Sequence, residues 1–211
     1  MIARGGMPIV VLPAMAAALL LVSALATSSN FPIILTLPFG ALFVVFLVFF
    51  RDPDRSVGNG LTSPADGRVI AADPERGAVS IYMSFLDVHV NRAPWTALVV
   101  SRRKRAGGHS LAGSPAAVSN YSVYWELGTL IGKIEMRQIA GMFARRIVPY
   151  VDEGARIKKG QKIGLIRFGS RVELMLPPTV RLVVAVGDRV RAGETTIAEV
   201  VHDVAQENQP G

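Results

Sequence analysis

Three short peptides carry the side chains that could do chemistry. Ser63-Pro64-Ala65-Asp66-Gly67 has the composition of a tight turn, which could hold the Asp66 carboxylate rigidly against another group. Asp87 and His89 lie two residues apart, and a histidine held by a carboxylate is the usual general-base arrangement. Gly169-Ser170 stands between two apolar segments, where a serine is commonly part of a bend. Each peptide also has an ordinary structural explanation, so no single one identifies a function.

A fourth peptide, Gly108-His109-Ser110-Leu111-Ala112-Gly113, is similar to the nucleophile elbow of serine hydrolases. That elbow needs a buried strand before the serine and a helix after it. A basic run and two glycines precede Ser110, and Ala112 occupies the position of the second motif glycine. The pattern therefore favours a loop of small residues over a hydrolase site.

Composition excludes several classes of protein. The chain has 211 residues, a formal net charge of +7 and 50% hydrophobic residues, which is too apolar for a disordered chain. It contains no cysteine, so disulfide scaffolds, thiolate zinc sites, cysteine nucleophiles and iron–sulfur clusters are excluded. With three histidines in the whole chain, any histidine chemistry has few candidates: His89, His109 and His202.

Residues 5–50 contain no charged residue or histidine and are bracketed by Arg4 and Arg51. A spanning helix needs about 20 apolar residues, so the run predicts two helices, at about 7–26 and 31–50. Turn-forming residues lie between them, which indicates a helical hairpin that spans or dips into a membrane. A cleaved signal peptide would not need the second apolar segment. Arg4, Arg51 and Arg55 predict that both ends of the hairpin lie in the cytoplasm.

The rest of the chain, residues 51–211, shows mostly β signals. Val79, Ile81, Met83 and Phe85 alternate with polar residues, and the same register would place Asp87 and His89 on their face. A second alternating run follows Ser170 and shares a face with it: Val172, Leu174 and Leu176. We therefore predict a mostly β (α+β) domain of the barrel or sandwich-hybrid kind behind the hairpin.

Residues 151–160 recur as residues 184–193, and each copy predicts a strand, a glycine turn, a short strand and a second glycine turn. Such units resemble biotinyl and lipoyl carrier domains. A carrier would need a modifiable lysine between methionines, and no Met-Lys-Met occurs, which favours a structural repeat over a membrane-tethered carrier. A further basic run, residues 102–105, suits an anionic membrane surface or a solvated loop better than nucleic acid.

Taken together and in order, these peptides resemble one family, the short membrane-anchored phosphatidylserine decarboxylase proenzymes of bacteria and archaea. The resemblance covers nearly the whole chain, including the apolar hairpin. The matching stretches are residues 49–55, 63–69, 81–94, 138–141, 144–148 and 160–172.

The resemblance implies a proenzyme that cuts itself between Gly169 and Ser170, giving chains of residues 1–169 and 170–211. Ser170 Oγ would attack the carbonyl of Gly169, and Ser170 would become dehydroalanine and then a covalent pyruvoyl group, the cofactor of decarboxylation. His89 would be the base, with Asp66 as its carboxylate partner. Asp87 stays open as the alternative partner, although the family pattern favours Asp66. No metal or diffusible cofactor is required.

The same resemblance implies a membrane lipid with a serine head group as substrate, two cleavage fragments that stay together, and a further dimer. One stretch departs from the family pattern. Where the family has an acidic Asn-Glu-Arg stretch, the chain reads Ser119-Asn120-Tyr121-Ser122-Val123-Tyr124, and Asn120 alone matches. The alternative substrate is therefore archaetidylserine, which carries the same head group on ether-linked isoprenoid chains.

Overall fold

The computed structural model describes residues 1–27, 29–108, 110–141, 146–167 and 170–201. The chain divides into two compact units, Met1–Pro53 and Asp54–Gly211.

The first unit consists of helices α1 (Met7–Thr27) and α2 (Phe31–Phe49). Their bounds match the prediction except at the last residue of each helix. Long apolar side chains point outward along both helices, with Leu12, Leu19 and Leu37 exposed by 67%, 68% and 70%. Both helices are long and apolar enough to cross a membrane. Because water would not stabilise so much exposed apolar surface, the unit favours membrane association.

The two ends of this unit are joined by backbone hydrogen bonds. The Ala3 N–H donates to the Phe50 carbonyl at 2.8 Å, and the Asp52 N–H donates to the Met1 carbonyl at 2.8 Å. Ile2 and Arg51 form an antiparallel bridge between them. The chain therefore leaves the helices on the side where it entered, and the predicted hairpin is confirmed.

In its described residues, the second unit is built from strands of two to nine residues and one 3-10 helix, Pro115–Ser119. In chain order the strands are β1 (Leu61–Thr62), β2 (Gly67–Asp73), β3 (Ala78–Met83), β4 (Val90–Arg92), β5 (Ala97–Arg105), β6 (Ser122–Thr129), β7 (Gly132–Ala140), β8 (Ile147–Pro149), β9 (Arg156–Ile157), β10 (Lys162–Ile166), β11 (Ser170–Met175), β12 (Val180–Leu182), β13 (Arg189–Val190) and β14 (Thr196–Val200). The prediction of a mostly β domain after two apolar helices is confirmed.

Among the described residues the strands form one eight-stranded sheet, in the order β13-β2-β3-β11-β7-β6-β5-β9, and two three-stranded sheets, β1-β14-β12 and β4-β10-β8. Strand β11 lies in the middle of the large sheet and pairs antiparallel with β3 on one side and β7 on the other. Val172 and Leu174 of β11 face the buried core, as the alternating pattern predicts. Ser170 lies on the same face.

The predicted extension of β3 to Phe85 is wrong. The strand ends at Met83, and the Phe85 side chain is 45% exposed. The Asp87 carboxylate accepts hydrogen bonds from the Ser84 N–H at 2.8 Å and the Ser84 hydroxyl at 2.6 Å. These local bonds offer the backbone an alternative to the sheet ladder. The register argument that placed Asp87 and His89 on the face of β3 therefore fails.

The sequence repeat forms two similar turn units. In each copy a two-residue strand, β9 or β13, stands between two glycines with positive φ, while the first predicted strand of each copy is absent. The final glycines make matching contacts: the Gly160 N–H donates to the Ala93 carbonyl at 2.9 Å, and the Gly193 N–H donates to the Ser63 carbonyl at 2.8 Å. The repeat thus docks two equivalent loops, one on each copy.

The basic run, residues 102–105, lies on strand β5, and its side chains point to both faces of the strand. Arg103, Lys104 and Arg105 are exposed, with Lys104 on the opposite face of the strand, whereas Arg102 donates to the carbonyl of Val151 at 2.5 Å and pairs with Asp152 at 3.0 Å. Since successive residues of a strand point to opposite faces, the four charges do not form one patch.

Gly67, which follows Asp66, leads to the first prediction. Its φ is +145°, and a Cβ there would lie 2.0 Å from the Tyr82 carbonyl oxygen. Gly67→Ala should therefore lower the free energy of unfolding by about 3 kcal/mol or more. Gly154→Ala is the matched control, because Gly154 also has positive φ but has nothing within 4 Å of its Cβ position. It should cost about 1 kcal/mol. Thermal unfolding in detergent measures both, and equal losses would contradict the steric explanation.

Candidate active site

Ser170 is the first residue of β11 and is completely buried. It lies opposite Met83 of β3 and Ala140 of β7. Its hydroxyl donates a hydrogen bond to the Met83 sulfur, with an Oγ to Sδ distance of 3.2 Å. Gly169, on the other side of the predicted cleavage point, lies outside the described residues.

His89 is also completely buried, just before β4. Its Nδ1 lies 2.8 Å from the backbone carbonyl oxygen of Asp87. A carbonyl can only accept a hydrogen bond, so Nδ1 must carry the proton. The neutral imidazole then has its lone pair on Nε2, which is the form a general base requires.

The backbone brings His89 and Ser170 into one region. The Ile166 N–H donates to the His89 carbonyl at 3.2 Å, and Ile166 is the last residue of β10. Ser170 follows four residues later. Extended chain covers at most roughly 3.6 Å per residue, so Ser170 lies within about 14 Å of that contact.

The structure places the Asp66 carboxylate in a buried ion pair with Arg55. The two guanidinium nitrogens donate to the two carboxylate oxygens at 2.6 and 2.7 Å, and the Ala192 N–H donates to Oδ1 at 2.8 Å. The side chains are only 7% and 11% exposed. Within the described part of the chain, no hydrogen bond joins this carboxylate to His89.

The contact between Asp66 and Ala192 has a counterpart in the other copy of the repeat. There the Thr96 hydroxyl accepts a hydrogen bond from the Lys159 N–H at 3.2 Å. Asp66 and Thr96 therefore do the same structural work, since each holds the end of one repeat copy. Asp66 differs by its charge, which Arg55 neutralises.

The Asp87 carboxylate binds Ser84, as described above, and pairs with Arg189 at 3.3 Å. It contributes to the site by closing the turn that presents its own backbone carbonyl to His89. Among the described contacts, neither carboxylate bonds to the imidazole. The assignment of Asp66 or Asp87 as the partner of His89 stays a prediction.

Three buried residues form a chain of side-chain hydrogen bonds that leads to Met83, and the sequence reasoning gave them no role in the site: Asn91, Gln138 and Trp125. The indole N–H of Trp125 donates to Gln138 Oε1 at 2.7 Å, and Gln138 Nε2 donates to Asn91 Oδ1 at 2.7 Å. Asn91 Nδ2 lies 3.8 Å from the Met83 sulfur. A signal existed in the sequence, because Gln138 interrupts the apolar alternation of β7 formed by Ile134, Met136 and Ala140.

Asn120, in the stretch that departs from the family pattern, fixes the loop that follows β5. Its Oδ1 accepts from the Ser110 N–H at 2.7 Å, and its Nδ2 donates to the carbonyls of Ser110 at 2.7 Å and Ala140 at 2.9 Å. Ala140 is the cross-strand neighbour of Ser170, so this loop is held beside the candidate site. Ser110 lies in this loop and not on a strand-to-helix elbow. His109 lies outside the described residues.

Two arginines, Arg146 and Arg167, lie near the end of β10. The Arg167 N–H donates to the Arg146 carbonyl at 3.2 Å across the end of the small sheet. Burial of the Arg167 guanidinium, and secondarily the nearby charge of Arg146, lower the pKa of Arg167. Arg146 and Arg167 are therefore close enough for the charge of one to act on the other.

Comparison with known proteins finds one family over most of the chain. The family model of phosphatidylserine decarboxylase matches residues 42–198. A phosphatidylserine decarboxylase proenzyme of Streptomyces griseus is 44% identical over 200 residues, which cover 93% of this chain and 92% of the relative. A proenzyme from Archaeoglobus fulgidus, provisionally named an archaetidylserine decarboxylase, is 45% identical over 199 residues, 92% of this chain and 94% of its own length. A phosphatidylserine decarboxylase proenzyme of Desulfotalea psychrophila is 40% identical over an alignment of 214 positions, which covers 95% of this chain and 97% of the relative.

The chain belongs to the phosphatidylserine decarboxylase family. It is therefore a carboxy-lyase of a family made as proenzymes, and the resemblance drawn from the motifs is confirmed.

The buried ion pair supplies the second prediction. Arg55→Ala would leave the Asp66 carboxylate buried without its cation and should destabilise the protein by about 3–5 kcal/mol. Asp66→Thr copies Thr96, the residue that binds the other repeat copy, so it should keep the bond from Ala192 and unfold at a lower temperature than wild type. If Asp66 serves only this ion pair, both variants should still cut themselves at permissive temperature. Loss of cleavage in Asp66→Thr with normal cleavage in Arg55→Ala would instead support a partnership with His89. Thermal unfolding and intact mass measure the two effects.

Proposed function

We propose that this protein decarboxylates the serine head group of a membrane phospholipid, converting phosphatidylserine to phosphatidylethanolamine, with a pyruvoyl group that it makes from its own Ser170. The observation that carries the proposal is the position of Ser170 in a chain that matches the family over nearly its whole length. A completely buried serine heads a strand in the middle of the main sheet, where its hydroxyl contacts a thioether.

The proposed self-cleavage balances in atoms and electrons. Ser170 Oγ bonds to the Gly169 carbonyl carbon as the peptide C–N bond breaks, which gives an ester. Elimination then removes the Ser170 α-proton and breaks the Cβ–Oγ bond, so Gly169 leaves as a carboxylate that keeps Oγ. Uptake of one water and loss of one ammonia leave a carbonyl at Cα and a methyl group at Cβ of residue 170. No external oxidant or reductant is needed.

His89 is the base that we assign to this reaction. A hydroxyl is a weak nucleophile until a neighbouring base takes its proton. The carbonyl of Asp87 keeps the Nδ1 proton in place, which leaves Nε2 as the basic nitrogen of the ring.

The residues around position 170 fit a pyruvoyl group. Met83 and Ala140 lie opposite it and are apolar, so they would accept the methyl group left at Cβ. When formed, the pyruvoyl carbonyl supplies an electron sink for the electrons released by decarboxylation of an amine-bearing substrate. Arg146 and Arg167 add positive charge where a head group with a phosphate and a carboxylate would approach.

The sheet pairing supports a heterodimer of the two cleavage fragments. Strand β11 would begin the small fragment, residues 170–211, and it pairs with β3 and β7 of the large fragment, residues 1–169. Strands β13 and β14 of the small fragment likewise pair with β2 and β1. Cleavage would therefore leave both fragments in one fold.

The apolar hairpin would hold the enzyme at the bilayer that contains its lipid substrate. Arg4, Arg51 and Arg55 favour the cytoplasmic side for the catalytic domain, by the positive-inside rule. Archaetidylserine is the second candidate substrate. The bacterial relative is 44% identical and the archaeal one 45%, so identity favours neither lipid.

Ser170→Ala supplies the third prediction and tests the proposed function directly. Wild type should yield two chains split after Gly169, with the small chain lighter by one ammonia than a serine-headed peptide, and should release CO2 from phosphatidylserine vesicles. Ser170→Ala should stay a single chain without activity, because it lacks the attacking oxygen. Intact mass and CO2 release measure these outcomes. An uncut wild-type chain with activity, or normal cutting of Ser170→Ala, would overturn the proposal.

His89→Ala is the fourth prediction. Without its base, self-cleavage should slow by about 100-fold or more, the usual contribution of a general base. A gel time course after cell-free synthesis in the presence of lipid vesicles measures the rate. Asp87→Asn is the matched control, since it keeps the backbone carbonyl that orients the imidazole and should cut much faster than His89→Ala. Cutting of His89→Ala at the wild-type rate would remove the assigned role.

A further inference from the structure

The Met83 sulfur is the end point of a chain of buried hydrogen bonds that begins at Trp125. The chain runs from the Trp125 indole to Gln138, from Gln138 to Asn91, from Asn91 toward the Met83 sulfur, and it meets the Ser170 hydroxyl there. All five side chains are at most 1% exposed. The network crosses from β6 through β7 and β4 to β3, so it ties four strands to the start of β11.

The direction of each bond in this chain follows from chemistry alone. An indole N–H can only donate, so Gln138 must present its carbonyl oxygen to Trp125. Its NH2 group then faces Asn91, which must present its own carbonyl oxygen in return. The Asn91 NH2 group is thereby turned toward the sulfur. Both buried amides thus have one permitted orientation, and that orientation leaves the sulfur as the acceptor for Ser170.

A glycine makes room for the network. A Cβ at Gly164 would lie 3.2 Å from Gln138 Nε2 and 3.1 Å from the Val148 carbonyl oxygen. Gly164 is also the register partner of Asn91 across β10 and β4. Any side chain at position 164 would therefore press on the amide that orients Asn91.

We propose that Met83 is a positioning residue for self-cleavage: its sulfur, held by the chain of amides, fixes the rotamer of the Ser170 hydroxyl before it reacts. The proposal rests on the proposed function, since it concerns the same serine. The hydroxyl donates a hydrogen bond to the sulfur, which is too weak a base to remove the proton, so the O–H must turn from the sulfur to the base when it reacts. The contact therefore sets the direction of Oγ and leaves activation to another group.

The thioether also suits what comes after the reaction. Self-cleavage removes Oγ from residue 170 and leaves a methyl group at Cβ. A carboxamide or carboxylate in place of Met83 would then be a strong buried acceptor that had lost its partner, which is costly. A thioether is a weak acceptor and packs against methyl groups as readily as other apolar side chains do. Met83 can therefore contact the serine before cleavage and the methyl group after it.

The test compares Met83→Leu with Met136→Leu in the full-length protein. Both methionines are buried in the same core, they have the same volume, and leucine replaces methionine with little disturbance of packing. Met83 receives the Ser170 hydroxyl, whereas Met136 lies opposite Leu174, further along β11. Each protein is made by cell-free synthesis with lipid vesicles, and cleavage is followed over time by intact mass. Thermal unfolding of the products is measured in parallel.

Met83→Leu should cut on the order of three- to tenfold more slowly than wild type, the effect of losing one positioning hydrogen bond. Met136→Leu should cut at the wild-type rate, and the two variants should unfold at similar temperatures. Equal cleavage rates in the two variants, or faster cutting by Met83→Leu, would overturn the inference. A wild-type chain that does not cut would instead overturn the proposed function, so the two failures are distinguishable.

Gln138→Glu tests the chain of amides without changing Met83. Glutamate can still accept from Trp125 but has no NH2 group for Asn91, so Asn91 should turn its carbonyl oxygen toward the sulfur. Self-cleavage should then slow as it does in Met83→Leu. In the double variant Gln138→Glu/Met83→Leu, the second change should slow cleavage no further, because both act through the same sulfur. If the double variant were slowed by the product of the two single-variant factors, Gln138 would not act through Met83.

Discussion

A buried hydroxyl needs a hydrogen-bond partner, and the organisation of the core around Ser170 follows from that requirement. The partner is a methionine on the neighbouring strand, at an Oγ to Sδ distance of 3.2 Å. Because β11 is central, residue 170 is paired with strands on both sides and is held by the sheet whatever happens to the peptide bond before it. A new chain end made there would not be free to fray. Under the proposed function, residue 170 can thus change its chemistry while its position stays fixed.

The repeat explains how the neighbouring turns are held at the correct places. Each copy ends in a glycine whose N–H binds the loop after a short strand, at Ser63 in one case and Ala93 in the other. A side-chain oxygen of the same loop also accepts a hydrogen bond from each copy. Asp66 accepts from the Ala192 N–H, and Thr96 accepts from the Lys159 N–H. A repeat that is similar to a carrier domain therefore works here as scaffolding. Asp66 carries a charge that Thr96 lacks, and Arg55 balances it.

The sequence was sufficient for the features that depend on local pattern. The apolar run predicted the hairpin almost to the residue, and the alternation after Ser170 predicted its buried face. It failed where a side chain competes with the backbone, because Asp87 closes a turn on Ser84 and ends β3 two residues early. It also missed the hydrogen bond between Asn91 and Gln138, which lie 47 residues apart in the chain. Contacts at such separation are decided by strand order, which the pattern of one segment does not contain.

The orientation of His89 by a backbone carbonyl has a consequence for a site that receives an anion. A carboxylate beside the imidazole would orient the ring equally well, but under the proposed function it would add a negative charge close to an anionic lipid head group. The Asp87 carbonyl orients the ring without a formal charge, and Arg189 and Ser84 engage the Asp87 carboxylate in the turn. Arg55 likewise neutralises Asp66. The Asp66 and Asp87 carboxylates are thus both engaged in ion pairs, and a neutral carbonyl orients the imidazole. Since like charges repel strongly where water is excluded, this arrangement favours an anionic substrate.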